Sequence, residues 1–178
     1  MKSRPHPEFF KTVLEDDLIL LRPLVENDFD DLYAVASDEK IWEQHPESKR
    51  HEIEVFDEFF KHAIIGNCAY VVIDKESNQI IGSSRYRHLT NKSVEIGWTF
   101  LSRRHWGGRY NRHMKKCMID HAFSHYETLI LFIGPTNFRS QKAAEKIGAF
   151  RDMKMESELR EFAKSNWAFV IQKENWEL

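Results

Sequence analysis

Residues 95–111 read Glu95-Ile-Gly-Trp-Thr-Phe-Leu-Ser-Arg-Arg-His-Trp-Gly-Gly-Arg-Tyr-Asn111. With Ser93 and Val94, the first part forms an apolar, β-prone run through Leu101. Three arginines and a Gly-Gly pair follow. Residues 107–124 then return to helical spacing, with Tyr110, Met114, Met118, Ala122 and Phe123 on one stripe. A strand thus runs into a glycine-containing loop that opens a helix. The first turn of a helix has N–H groups with no internal partner and carries the positive end of the dipole. Glycine lets backbone approach a ligand closely, and arginine offers a fork of phosphate donors. Such a passage can cradle a diphosphate. It also fits a plain strand–helix turn with solvated arginines, and local chemistry leaves both readings open.

Working outward, the apolar run Leu18–Leu24 closes at a proline and reads as the first strand. Asn27 or Asp28 caps a short helix through about Ser37. From Glu52 to Ile65 the apolar residues Ile53, Phe56, Phe59, Phe60, Ala63 and Ile64 mark an amphipathic helix that Gly66 ends. Strands follow at 69–73, 79–86 and 93–101, the first two as a hairpin. After the 107–124 helix come a strand at 129–133, a helix at 137–147 with Gly148 behind it, and strands at 151–159 and 167–173. The order is β-α-α-β-β-β-α-β-α-β-β. A central antiparallel meander with later parallel-type units predicts a mixed α/β fold. Residues 1–14 read as a loosely tied N-terminal arm, and 15–178 as a single domain.

The second informative segment is Ile133-Gly-Pro-Thr-Asn-Phe-Arg-Ser-Gln-Lys-Ala-Ala-Glu-Lys-Ile-Gly-Ala-Phe150. By itself it is a capped helix with a C-terminal glycine. In this order and spacing, the two segments resemble the Gcn5-related N-acetyltransferases. The nearest likeness is to the ribosomal-protein-alanine acetyltransferase-like (RimJ/RimL-type) branch. The family's phosphate loop reads Gln/Arg-x-x-Gly-x-Gly/Ala, and Arg104-His-Trp-Gly107-Gly-Arg109 falls on it. Trp106-Gly107 and Tyr110 match the branch form "WGxGY". Asn137-x-x-Ser140 through Glu145-Lys146-x-Gly148-x-Phe150 matches "NxxSxxxxEKxGF". The opening Ile19–Leu24 is similar as well, so the likeness spans about residues 17–175.

That resemblance implies a GNAT fold: a mixed, mostly antiparallel sheet of about seven strands, splayed between strands 4 and 5, with about four flanking helices. It implies an acyltransferase that uses acetyl-CoA as co-substrate and an amine as acceptor. Glu95 takes the family's place for a base acting on the attacking ammonium, directly or through water. Ser140 is the group placed to protonate the departing thiolate, because Ala144 stands where many members carry a tyrosine. Trp98, Thr99, Phe100 and Leu101 offer backbone to the pantetheine arm, and one of their N–H groups suits a tetrahedral oxyanion. Arg103, Arg104, Trp106, Gly107, Gly108, Arg109, Tyr110 and Asn111 surround the diphosphate. Asn137, Arg139 and Ser140 complete the cofactor side. Arg109 departs from the motif's second small residue but keeps its N–H. Strand alternation puts Glu95, Gly97 and Thr99 on one face, with Val94, Ile96 and Trp98 on the other.

The remaining features mostly exclude. Net charge is −2, so no basic excess suggests nucleic acid, and a reading that used Arg103, Arg104, Arg109, Arg112, Lys115 and Lys116 as a nucleic-acid stripe is set aside. His113, Asp120, His121 and His125 lack a zinc pattern and read as solvated or capping groups, with no metal expected. Two cysteines, Cys68 and Cys117, fit reduced thiols. No apolar run approaches the roughly 20 residues of a membrane span. The N-terminus lacks a secretory apolar core, so the expected location is cytoplasmic. Trp42, His45, Phe56, Phe59 and Phe60 lie where the family shapes its acceptor pocket, though aromatics at helical spacing equally suit a core. The rival function is a domain that holds acyl-CoA without turnover, as a sensor or interaction unit. Monomer and homodimer stay equally open.

Overall fold

The run Ala69–Asp74 is buried at every position, the pattern of a strand covered on both faces. Its side chains sort by alternation. Tyr70 and Val72 join one apolar cluster, and Val71 and Ile73 join another on the opposite face. In the computed structural model, which describes residues 7–176, this strand lies within one eight-stranded mixed sheet.

In chain order the elements are β1 Leu14–Glu15, β2 Ile19–Pro23, α1 Phe29–Ala36, α2 Ile53–Gly66, β3 Ala69–Asp74, β4 Gln79–Thr90 and β5 Ser93–Leu101. There follow α3 Tyr110–Phe123, β6 Thr128–Ile133, α4 Phe138–Glu145, β7 Phe150–Arg151, α5 Met153–Glu158, α6 Arg160–Ala163 and β8 Trp167–Gln172. The sheet order is β1-β2-β3-β4-β5-β6-β8-β7. Every pairing is antiparallel except β5 with β6. Helices α3 and α4 cover one face, with Met114, Met118, Ile119, Ala144 and Ile147 packed on Val94, Ile96, Leu129 and Leu131. Helices α1 and α2 cover the other with Leu32, Ala36, Phe56, Phe59 and Phe60.

Three differences from the sequence reading have physical causes. The strand expected over 151–159 is a strand of two residues followed by a helix. Asp152 accepts from the N–H groups of Lys154 and Met155 and so caps α5. The Met153–Met155 alternation looked strand-like, but Met155 and Leu159, four apart, pack with Ile130 and Val170. Two short helices therefore join the four expected ones. The sheet has eight strands where about seven were expected, because Leu14–Glu15 adds an edge strand on β2. Helix α2 runs through Gly66, and the left-handed cap residue is Asn67 at φ 46°.

Within the stretch read as an arm, residues 7–11 form a 3-10 turn. Phe9 is buried there, stacked on His121 at 4.3 Å. The His121 ring meets the Phe9 carbonyl at 2.8 Å, and the His113 ring meets Asp16 at 2.7 Å. These histidines, both on α3, thus tie Phe9 and Asp16 to that helix. Among the described residues no group of three or more metal-ligating side chains assembles, and no helix is long and apolar enough to cross a membrane.

Candidate active site

The site begins where two strands part. β5 pairs with β6 only at Ser93–Thr128, Val94–Leu129 and Glu95–Ile130. Beyond Glu95 its edge toward β6 is open, while β6 continues against β8. The splay is the one expected between the fourth and fifth strands of the sequence reading.

Trp98 sits at φ 51°, in the left-handed region, although it is not glycine. The β4–β5 register slips at the same place, from Ser83–Phe100 to Arg85–Gly97. This is a β-bulge, one extra residue that re-aims the rest of the strand. It overturns the expected alternation. Trp98 packs with the α2-side cluster, the face of Glu95 and Gly97. Thr99 turns to the α3 face, where its hydroxyl accepts from Lys115 Nζ at 2.8 Å and meets Ser84 Oγ at 2.7 Å. Phe100 and Leu101 bury their side chains in opposite clusters. What these four residues leave toward the splay is backbone.

Glu95 is 4% exposed. Burial pushes its carboxyl up to about 7, opposed by the Arg87 guanidinium, which donates from Nε to Oε2 at 2.5 Å. The carboxylate lies over Gly97, where any Cβ would stand 2.7 Å from Oε1. A carboxyl that titrates near neutrality is suited to general base work.

After β5, Arg103–His105 makes a single 3-10 turn and Gly107 takes φ 69°. Apart from its two chain neighbours, no heavy atom lies within 4 Å of a Cβ built on Gly107, so the space beside this residue is open. Helix α3 starts at Tyr110 with Arg109 as N-cap and no side chain capping it. Its first N–H groups are therefore left for an outside acceptor. Arg104, Arg109 and Arg112 are exposed and form no ion pair among the described residues. Arg103 differs, for its Nε donates to Asp38. Trp106 turns inward, donating from Nε1 to the Leu101 carbonyl at 2.8 Å. Tyr110 donates its hydroxyl to Asp74 at 3.1 Å and meets His105 edge-on. Asn111 is half-buried in the first turn.

Helix α4 begins beyond the end of β6. Asn137, buried, accepts from the Ser140 N–H through Oδ1 at 3.2 Å and so caps the helix. Ser140 is half-buried one turn in, and Ala144 is packed in the core. Arg139 lies with its guanidinium 4.1 Å above the Trp106 ring and donates to the Ile41 carbonyl at 2.7 Å. It fastens α4 to the loop instead of standing free for a phosphate. Lys115 is buried, Arg103 is paired with Asp38, and Lys116 is paired with Asp120. Of the six residues weighed as a basic stripe, Arg104, Arg109 and Arg112 are the ones left exposed without an ion pair among the described residues.

Sequence reasoning missed a group on the α2 face. Arg85 and Arg87 follow each other at two-residue spacing on β4, and Arg50 comes from the 3-10 turn Ser48–His51. Arg85 lies 4.3 Å from the Phe59 centroid and 5.1 Å from that of Trp98. Arg87 also reaches over Trp98, Phe132 and Phe162. Arg85 and Arg87 stand opposite Gly97 and Glu95 through the β4–β5 register, which no sequence pattern announces. Trp42, Phe56, Phe59 and Phe60 are core residues of α2's cluster, and His45 is held neutral by burial and by Arg50 nearby, its pKa lowered to about 3. Lys115 was missed as well. Burial lowers its ammonium to about 7, with Glu95 acting the other way.

The sequence profile of the acetyltransferase (GNAT) domain matches residues 19–149. No curated protein matches the chain in sequence. Among solved structures, a Gcn5-related N-acetyltransferase from Brucella melitensis is 20% identical over 99% of this chain and 84% of its own, with a TM-score of 0.79. Mycobacterium smegmatis RimJ, solved with CoA-disulfide, is 13% identical over 93% of this chain and 90% of its own, at 0.67. Spermidine N-acetyltransferase from Vibrio cholerae, solved with CoA and spermine, is 16% identical over 90% and 98%, at 0.66. At these identities the structural likeness establishes the fold.

Proposed function

The chain belongs to the GNAT acetyltransferases, and from that premise we propose that it moves an acetyl group from acetyl-CoA to a primary amine by direct attack in a ternary complex. One observation carries this reading. Strand β5 leaves β6 just after Glu95, so a single segment offers, in order, a buried base, an open strand edge and a glycine loop at a helix N-terminus. These are the groups needed for amine, thioester arm and diphosphate, set along one path.

In the proposed reaction the loop from Arg104 to Asn111 binds the diphosphate through backbone N–H groups, with Arg104 and Arg109 adding charge. The open edge from Trp98 to Leu101 orients the pantetheine arm. Asn137 donates to that arm from Nδ2 while its Oδ1 keeps the helix cap. Glu95 accepts the proton of the incoming ammonium, directly or through water. The freed nitrogen bonds to the acyl carbon and the carbon–sulfur bond breaks. Ser140, or water beside it, protonates the thiolate. The likeness to a spermidine N-acetyltransferase solved with spermine supports a small amine as acceptor, and the RimJ/RimL-type resemblance of the sequence adds protein N-termini to the candidates. The free cysteines Cys68 and Cys117 fit a cytoplasmic enzyme.

The test is calorimetry with CoA, followed by thiol release from acetyl-CoA across a panel of amines and peptide N-termini. The expected result is saturable CoA binding and amine-dependent thiol release. Absence of CoA binding removes the reading. CoA binding with no release for any acceptor turns it into the rival, a domain that holds acyl-CoA without turnover.

A further inference from the structure

The α2-side cluster holds more positive charge than the transfer reaction uses. Three guanidiniums, those of Arg50, Arg85 and Arg87, converge around Phe59 and Trp98. The carboxylate among them is Glu95, and Arg87 is bound to it. Arg85 is 7% exposed and Arg50 9% exposed, and neither forms an ion pair among the described residues. Arg85 donates from Nη2 to the Phe59 carbonyl at 3.2 Å, but its buried Nε has no acceptor. Arg50 Nη1 lies 3.1 Å from His45 Nε2, while His45 Nδ1 accepts from the Glu47 N–H, and the guanidinium lies over the rings of Phe59 and Trp42. Burial lowers both guanidiniums to about 10. Aromatic faces offset part of a buried cation's lost hydration, but an anion offsets far more.

The place of this charge gives it meaning. Arg85 opposes Gly97, and Arg87 opposes Glu95. Arg85 is thus one step along the same face from the proposed base, about 7 Å at strand spacing. An amine delivered to Glu95 brings the rest of its molecule against Arg85. A second ammonium there meets like charges in a low-dielectric wall. A carboxylate or phosphate meets a buried donor that lacks an acceptor.

Building on the acetyl-transfer reading, we propose that Arg85 and Arg50 form an anion subsite, and that the acceptor is a small primary amine carrying a carboxylate or phosphate a few bonds from its nitrogen. The subsite selects against polyamines and against amines without an anionic group. Arg87 holds the base and leaves the anion to the other two.

The experiment uses the full chain and matched probes: β-alanine against propylamine, O-phosphoethanolamine against ethylamine, and spermidine. The anionic member of a pair is expected to exceed its neutral partner by about 30-fold or more in kcat/KM. Whichever pair shows the larger ratio identifies carboxylate or phosphate as the group held. Arg85→Gln and Arg50→Gln should each raise KM for the anionic amine about tenfold, with kcat within about threefold and CoA affinity unchanged. Arg50 sits on a short turn, so its variant keeps the test open should the β4 variant fail to fold. Calorimetry with O-phosphoethanolamine and β-alanine reads the subsite without turnover. Binding that both variants abolish, without thiol release, removes the transfer reading and leaves the subsite standing. Equal rates within both pairs, or a preference for spermidine, overturn the subsite while transfer stands.

Discussion

The two faces of the splay are built on different principles. On the α3 face, the groups open to a ligand are backbone: the edge of β5, the Gly107 turn and the first N–H groups of α3. They come from one continuous stretch, 98–111, joined by the cap at Asn137. On the α2 face the groups are side chains gathered from residues 50, 59, 85, 87, 95, 98 and 162. A thioester nucleotide common to many enzymes can be held by generic amides. An acceptor that differs between enzymes needs side chains that can change without disturbing the fold.

The largest effect belongs to the α2 face. Glu95→Gln should lower kcat by about 10²–10⁴-fold, the usual contribution of a positioned base. CoA affinity, set on the other face, should stay near that of the parent protein. The same variant sharpens the comparison through pH. A base acts when deprotonated, so with Glu95 raised to about 7 the parent's kcat/KM should climb as pH rises through neutrality. That limb should vanish in Glu95→Gln. If CoA affinity falls together with kcat, the two faces are not separable as described.

How much could be read from the chain follows the same division. The loop from Arg104 to Arg109, the cap at Asn137 and the turn at Gly148 are local patterns, and the structure has them where the motifs put them. The splay was implied by the family likeness and appears after Glu95. Thr99 was given to the wrong face because a single left-handed residue, Trp98, breaks strict alternation, and no residue type announces such a bulge. The strand expected at 151–159 failed because Met153 and Met155 alternate like a strand while Asp152 caps a helix. The arginine cluster was invisible because its members meet only through sheet register and a distant turn.

Lys115, buried on the α3 face behind Thr99, gives the next effect. Its ammonium, buried on α3, titrates at about 7 in the folded protein and at about 10.4 in an unfolded chain. Between those values the unfolded state binds more protons, so the fold gains stability as pH rises from about 6.5 toward 8. Lys115→Met removes the titration. With Glu95, raised to about 7, as the buried titration that remains, urea midpoints should then no longer rise over that window but stay level or fall, and at pH 6.5 the variant should match the parent or exceed it by about 1–4 kcal/mol. A parent midpoint that falls from pH 6.5 to 8, or a variant that keeps the parent's slope, would show that Lys115 is not held below its usual range.

The smallest effect asks whether the α3 face binds by more than fold. Asn137 offers two atoms with separate proposed tasks: Oδ1 caps α4, and Nδ2 is left for the pantetheine arm. Asn137→Asp keeps the acceptor and replaces the donor. A carboxylate at a helix N-terminus is favourable, so stability should hold or rise by a few tenths of a kcal/mol. Losing one hydrogen bond of about 1 kcal/mol should weaken CoA binding about fivefold. Asn137→Ala removes both atoms and should also lower stability, by about 1 kcal/mol. Equal CoA affinity in the parent protein and Asn137→Asp would confine Asn137 to the cap. Binding on the α3 face would then rest on strand edge, loop and helix terminus alone, a sharper form of the contrast with the side-chain face opposite.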